Sequence, residues 1–252
     1  DYDMGKSYEY NVCKVIENKK ISEGIFKLTV EGKFEAKPGQ FYMLRSWDKE
    51  PLLWRPISIH NISENSIEFL YQLVGDGTKL LSKLEAGDDV KVVGPLGNGF
   101  NLDEIKGRVA VVSGGIGVAP MRYLVEGIKK HTEAEVEVFS GFRDEVYGIE
   151  EIAALETSVK VSTEDGSVGT KGFVTALFDP KDFDLVLCCG PEVMMYNVIK
   201  LCREAGTKIY ISEEKKMACG IGACLVCTCK TVKGNKRTCK DGPVFDGAEI
   251  EI

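Results

Sequence analysis

The chain has 252 residues, 44% of them apolar, and a net charge of −7. That length supports a sizeable core in one or two domains, and the negative balance gives no general attraction to nucleic acid or anionic lipid. No stretch approaches the roughly 18 uncharged apolar residues of a membrane span, and the opening DYDMGKSYEY lacks the apolar region of a secretory leader. A cytoplasmic protein with no membrane and no nucleic acid partner is therefore expected, with Asp1 to Asp3 set aside. In a reducing compartment stable disulfides are disfavoured, and nine cysteines are an odd number to pair.

Residues 8–100 read as short β-segments: YEYNVCKVIE, GIFKLTVEG, GQFYMLRSW, RPISIHNIS, SIEFLYQLVG and DDVKVVGP. They are rich in β-branched and aromatic residues and are separated by Gly, Asn and Asp at intervals that suit a small antiparallel barrel. One helical piece, DGTKLLSKLEAGD, interrupts them, with Leu80, Leu81 and Leu84 on its apolar side and Gly87 as its stop. Two features here suit an anion. Arg55 stands beside rigid Pro56 in RPIS, and Gly75, Gly77 and Thr78 open the helix. An ordinary barrel turn explains the same spacing equally well.

From Arg108 the period changes. RVAVVSG, AEVEVFSGF, SVKVSTED, FDLVLCCG and TKIYIS read as buried strands. They alternate with helical APMRYLVEGIKKH, EVYGIEEIAAL, GTKGFVTALF and PEVMMYNVIKLCREAG, the last with Pro191 at its start and Gly206 at its end. Such alternation implies βαβ units and a parallel sheet, with ligands beyond the carboxyl ends of the strands. SGGIGVAP, residues 113–120, is a glycine-rich turn between a strand and a helix, a natural pyrophosphate site. It is an imperfect fingerprint, because Pro120 replaces the last glycine, and a merely structural turn has the same look. CCGP, residues 188–191, ends a later strand and would face the same crevice.

After Glu213 the helical period disappears and five cysteines follow. Cys219, Cys224 and Cys227 have the spacing C-x4-C-x2-C, and Cys239 follows the turn KGNK. Zinc sites usually present two C-x2-C knuckles, and there is one here. The pattern is that of a plant-type [2Fe–2S] loop, with zinc and disulfides as the alternatives. Gly220 and Gly222 let backbone approach the sulfides. Cys229 is surplus: it either replaces Cys227 as third ligand or packs beside the cluster. Cys13, Cys188 and Cys202 read as small buried hydrophobes.

RPIS, SGGIGVAP, CCGP, KMACGIGACLVCTCK and CKDGPVFD together make the chain resemble the ferredoxin–NADP reductase superfamily over residues 8–250. Within it, the likeness is greatest to the electron-transfer subunits of NAD-dependent, two-subunit dihydroorotate dehydrogenases. The resemblance implies a multi-domain β plus α/β chain: an FAD-binding β-barrel (4–103), a parallel-sheet NAD-binding domain (104–212) and a C-terminal [2Fe–2S] module (213–252). It implies that Arg55, Pro56, Ile57, Ser58, Leu73, Val74, Gly75, Gly77 and Thr78 hold FAD. Gly114, Gly115 and Gly117 would line the NAD(H) pyrophosphate site, with Cys189 and Gly190 at the nicotinamide. Cys219, Cys224, Cys227 and Cys239 would ligate the cluster. Arg143 stands where the superfamily distinguishes NADH from NADPH, and Asp144 and Glu145 beside it favour NADH.

A hydride is a two-electron unit and a cluster takes one electron at a time, so a flavin is needed between them. No side-chain acid or base is needed, and none is assigned: His60 and His131 are read as structural. The implied activity is electron transfer in pyrimidine biosynthesis, between NAD and an FMN-containing catalytic subunit, in a heterotetramer with two of each. The alternatives are the flavin/[2Fe–2S] subunit of a ferredoxin-dependent NAD(P) transhydrogenase or of a sulfide or sulfite reductase system, and a non-catalytic iron sensor or scaffold.

Overall fold

A computed structural model describes residues 10–252. The expectations for the first nine residues, including a first domain beginning at Met4 and a first strand beginning at Tyr8, lie outside the described residues. No helix among the described residues is long and apolar enough to cross a membrane.

The β-rich half forms one seven-stranded antiparallel sheet. Its strands are β1 (Asn11–Ser22), β2 (Ile25–Glu31), β3 (Phe41–Arg45), β4 (Arg55–Ser58), β5 (Asn61–Ser63), β6 (Ser66–Gln72) and β7 (Asp89–Leu96). They lie in the order β4-β3-β7-β1-β2-β6-β5. The two end strands are separated in sequence only by Ile59 and His60. The Ile59 amide donates to the Gln40 carbonyl at 3.2 Å and the His60 amide to Glu68 at 2.9 Å. Leu28, Leu44, Ile67, Phe69 and Val92 fill the interior. The one helix here, α1 (Asp76–Leu81), is shorter than its apolar spacing predicts.

The second sheet is β8 (Arg108–Gly114), β9 (Glu135–Phe142), β10 (Ser158–Thr163), β11 (Thr170–Lys171), β12 (Leu185–Cys189), β13 (Lys208–Ser212) and β16 (Val244–Asp246). Its order is β11-β10-β9-β8-β12-β13-β16, and every pairing is parallel except β13 with β16. Both faces are covered, as parallel sheets require. Val109, Val111 and Leu187 pack toward α2 (Met121–His131), and Ala110, Val112 and Cys188 toward α4 (Glu192–Ala205). The short α3 (Ile149–Ala153) begins after Gly148, which has a positive φ.

One predicted helix is absent. Residues 169–178 form β11 and a single 3-10 turn at Val174–Ala176. Gly169 and Gly172 both have positive φ, and a Cβ on Gly169 would lie 2.1 Å from the Val161 carbonyl oxygen. The segment is therefore held as an edge strand on β10. The cysteine-rich tail carries the hairpin β14 (Thr228–Thr231) and β15 (Gly234–Arg237). Its end returns as β16 to the second sheet, while its loop packs on Phe41, Met43 and Leu96 of the first.

Candidate functional site: a chain of three spaces ending at four thiols

The β4 strand forms one wall of a pocket of about 330 Å³ lined by Arg55, Pro56, Ile57, Ser58, Val74 and Thr78. Thr78 Oγ1 accepts from the Val74 and Gly75 amides at 3.0 and 3.2 Å and donates to the Gly75 carbonyl at 2.9 Å, which fixes the turn entering α1. The Arg55 guanidinium lies on Gly77: a Cβ there would be 2.4 Å from Arg55 Nε. Glycine at 77 is thus a condition for Arg55 to lie across the helix start. Leu73 does not line this pocket; it packs in the first-sheet core. Glu213, Glu214, Lys215 and Met217 do line it, and sequence spacing gave no sign of them. Glu213 is buried, which pushes its carboxyl above the usual range despite the Lys215 ammonium 3.1 Å away.

A crevice of about 530 Å³ adjoins this pocket. Gln72, Ile116 and Glu214 line both, and Gly114, Gly115, Gly117 and Gly190 line the crevice. The two glycine motifs meet backbone to backbone. A Cβ on Gly117 would stand 2.4 Å from the Cys189 carbonyl oxygen, and one on Gly190 would stand 2.9 Å from the Gly114 amide nitrogen. The register of β8 with β12, pairing Ser113 with Cys189, delivers both turns to the same sheet edge. The Cys189 thiol itself faces the core and not the crevice; burial pushes its ionisation far up.

Beyond the glycines lies an apolar space of about 400 Å³, lined by Phe142, Arg143, Glu164, Phe173 and Val193. Arg143 and Asp144 face the crevice as expected. Glu145 lines the crevice too, with its carboxylate accepting from Ser22 Oγ and the Glu23 amide. Glu164, past the end of β10, is the carboxylate in the far space. It is at a strand carboxyl end, the signal that could have found it.

At the other end, Phe41 and Met217 line the β4 pocket and also pack with Cys227 and Cys239. The four thiols form two pairs. Cys219 contacts Cys224, and Cys227 contacts Cys239, whose amide donates to Cys227 Sγ at 3.4 Å. Burial opposes ionisation of Cys219, but the Ile221, Cys224 and Ala223 amides and the Cys224 thiol bring it down to about 7. Among the described residues no three ligands converge on a single ion. Two pairs suit two irons, each taking two thiolates, and do not suit one tetrahedral zinc. Gly220 and Gly222 have positive φ, and Cβ atoms there would meet Met43 and Lys240. Cys229 points the other way, into the core beneath α4 with Val198 and Ile211. Cys188 and Cys202 are buried as expected, whereas Cys13 is half-buried.

The model of the iron–sulfur cluster binding domain of dihydroorotate dehydrogenase B matches residues 214–251. The chain is 54% identical over 242 residues to the dihydroorotate dehydrogenase B (NAD(+)) electron transfer subunit of Clostridium acetobutylicum, covering 96% of this chain and 97% of that protein. It is 49% identical to the subunit of the same name from Clostridium perfringens, covering 97% and 99%. Among solved structures, an NADH-dependent reduced ferredoxin–NADP oxidoreductase superposes with a TM-score of 0.86 at 29% identity, covering 98% of this chain and 91% of that one.

Proposed function

The chain belongs to the family of dihydroorotate dehydrogenase B (NAD(+)) electron transfer subunits, and from that premise we propose that it carries electrons between NAD and a separate FMN-containing catalytic subunit that transforms dihydroorotate. It is a flavin and iron–sulfur oxidoreductase subunit using FAD, NAD(H) and a [2Fe–2S] cluster. FAD, when bound, would supply the conversion between two-electron hydride chemistry and one-electron transfer. The chain's residues bind, orient and shield. Arg55, Ser58, Val74 and Thr78 hold FAD along β4 and the α1 turn, with Pro56, Ile57, Gly75 and Gly77 shaping that wall and Leu73 packed in the core behind it. Gly114, Gly115, Gly117 and Gly190 admit the pyrophosphate and nicotinamide close to backbone. Cys219, Cys224, Cys227 and Cys239 hold the cluster. The domain limits are 4–103, as a β-barrel, 104–212 and 213–252.

The observation that carries this reading is continuity. The far apolar space, the glycine crevice, the β4 pocket and the cysteine loop share walls in that order. Glu164 in the far space would accept from a ribose hydroxyl and repel a 2′-phosphate, which favours NADH. Partner docking belongs at the cluster edge. Cys224 is exposed there, followed by exposed Leu225 and Val226. Trp54, which packs beside Cys227 and Cys239, extends the apolar surface through Tyr10, Leu52 and Leu53. Two of each subunit in the cytoplasm complete the assembly. The transhydrogenase alternative shares the fold but at much lower identity than the dihydroorotate family.

The chain co-expressed with the FMN subunit should reduce orotate with NADH. Cys224→Ala should cut that rate about a hundredfold or more while NADH oxidation by a dye persists. No orotate reduction by the pair, or a full rate in the variant, would sink the proposal.

A further inference from the structure

His60 follows the flavin-pocket strand β4 by two residues and is fully buried. Its Nδ1 lies 2.6 Å from the Ala119 carbonyl oxygen, and its Nε2 lies 3.2 Å from Glu151 Oε2. Ala119 ends the glycine-rich turn and, with Ile116, lines the flavin pocket; Glu151 is on α3. The Ala119 carbonyl can only accept, so Nδ1 carries a hydrogen. The Glu151 carboxyl also accepts: hydrogen bonds from His60 and Lys27 hold it down to about 2. A neutral imidazole has one hydrogen and satisfies one of these acceptors; the imidazolium satisfies both.

The charges around the ring come from every element packed on it. Lys27 on β2 lies 2.7 Å from Glu151 Oε1. Arg122 on α2 lies 3.8 Å from Glu151 Oε2 and is matched by Glu126 at 2.5 Å, which also pairs with Lys130. Asn61, next to His60, accepts from Arg122. Lys27 and Arg122 oppose a further cation at His60, while Glu151 and the Ala119 carbonyl favour it.

We propose that His60 is a positioning residue for hydride transfer: doubly protonated, it clasps the glycine-rich turn of the nicotinamide crevice and α3 to the flavin strand, and loss of its proton opens one side of the clasp. This rests on the NADH-to-FAD reading. In the neutral ring one nitrogen presents a lone pair to an oxygen, either at Ala119 or at Glu151. The bond lost is buried and charge-assisted, so the turn that carries the nicotinamide loses its fixed distance from β4. The clasp is closed only while the ring carries both hydrogens and the Glu151 carboxyl is ionised.

The test uses the full chain loaded with FAD and cluster. The limiting rate of flavin bleaching by NADH in stopped flow should fall about tenfold once rising pH removes the second ring proton. In His60→Gln it should be low and flat. In Glu151→Gln it should be high and flat, because the new amide can donate to the neutral Nε2 and keep the clasp closed. A residue with a merely structural role would not give that opposite pair of outcomes. Should His60→Gln fail to fold, nitrogen NMR on the wild type still decides. The chain has two histidines, so His131→Gln assigns the signals. Both His60 nitrogens should be protonated in acid, and Nε2 should keep its proton to higher pH in the wild type than in Glu151→Gln. A singly protonated His60 in acid, or a pH dependence that survives in His60→Gln, overturns the clasp. The NMR reading needs no turnover, so it remains decisive even if the protein proves not to oxidise NADH.

Discussion

The glycine crevice and the cysteine loop both depend on glycine, but they are held in different ways. The crevice is made where β8 and β12 end side by side, with apolar cores on both faces of the sheet. Its glycines are needed because backbone packs on backbone, as at Gly117 against Cys189. The cluster loop has little core of its own. It leans on Phe41, Met43 and Leu96 of the first sheet, and its form follows from positive-φ glycines and amides directed at sulfur. A site at sheet ends is built by the fold before its ligand arrives. A site in a thiol-lined loop leaves part of its stability to the metal it binds.

Removing iron is the harshest way to test that difference. Amides in residues 214–243 should exchange about a hundredfold faster in the apoprotein, while those of β8 and β12 stay protected. Equal loss of protection in both regions would mean that the second sheet also needs the cluster. Gly117→Ala strikes the other region. Its Cβ would stand 2.4 Å from the Cys189 carbonyl, and neither backbone can yield cheaply. We expect a loss of about 2–4 kcal/mol in unfolding free energy, together with a drop in kcat/KM for NADH and an unchanged cluster spectrum. A variant as stable and as active as the wild type would remove the backbone-packing argument. The smallest effect should come from Cys229→Ala. This sulfur sits in the core of the second sheet beneath α4, so the visible spectrum should be unchanged and stability should fall by about 1 kcal/mol. A bleached cluster would make Cys229 a ligand and redraw the boundary between the two regions.

The cluster site was legible because its chemistry is local. Three cysteines at fixed spacing within nine residues, with glycines between them, constrain the ligand set almost without reference to the fold. The succession from β-segments to βαβ units was legible too, because periods of 2 and 3.6 are written in the apolar positions. The helix expected at 169–178 failed because the pattern in VTALF says nothing about Gly169 lying against the Val161 carbonyl. Leu73 and Cys189 show another limit of reading by proximity. Each lies beside a site in sequence, but its side chain turns into a core.

What the sequence determined by itself was the inventory: a β-rich half, an α/β half, two glycine turns and a spaced set of thiols. These rest on interactions within a few residues of one another. What the tertiary structure alone decided was adjacency. It brought Glu213, Glu214 and Lys215 into the β4 pocket and placed Glu164 in the far space. It returned β16 to the second sheet and set His60 between Ala119 and Glu151. Such pairings join segments tens of residues apart. They are fixed by strand register and by which faces must be buried, and neither can be read from any one stretch of the chain.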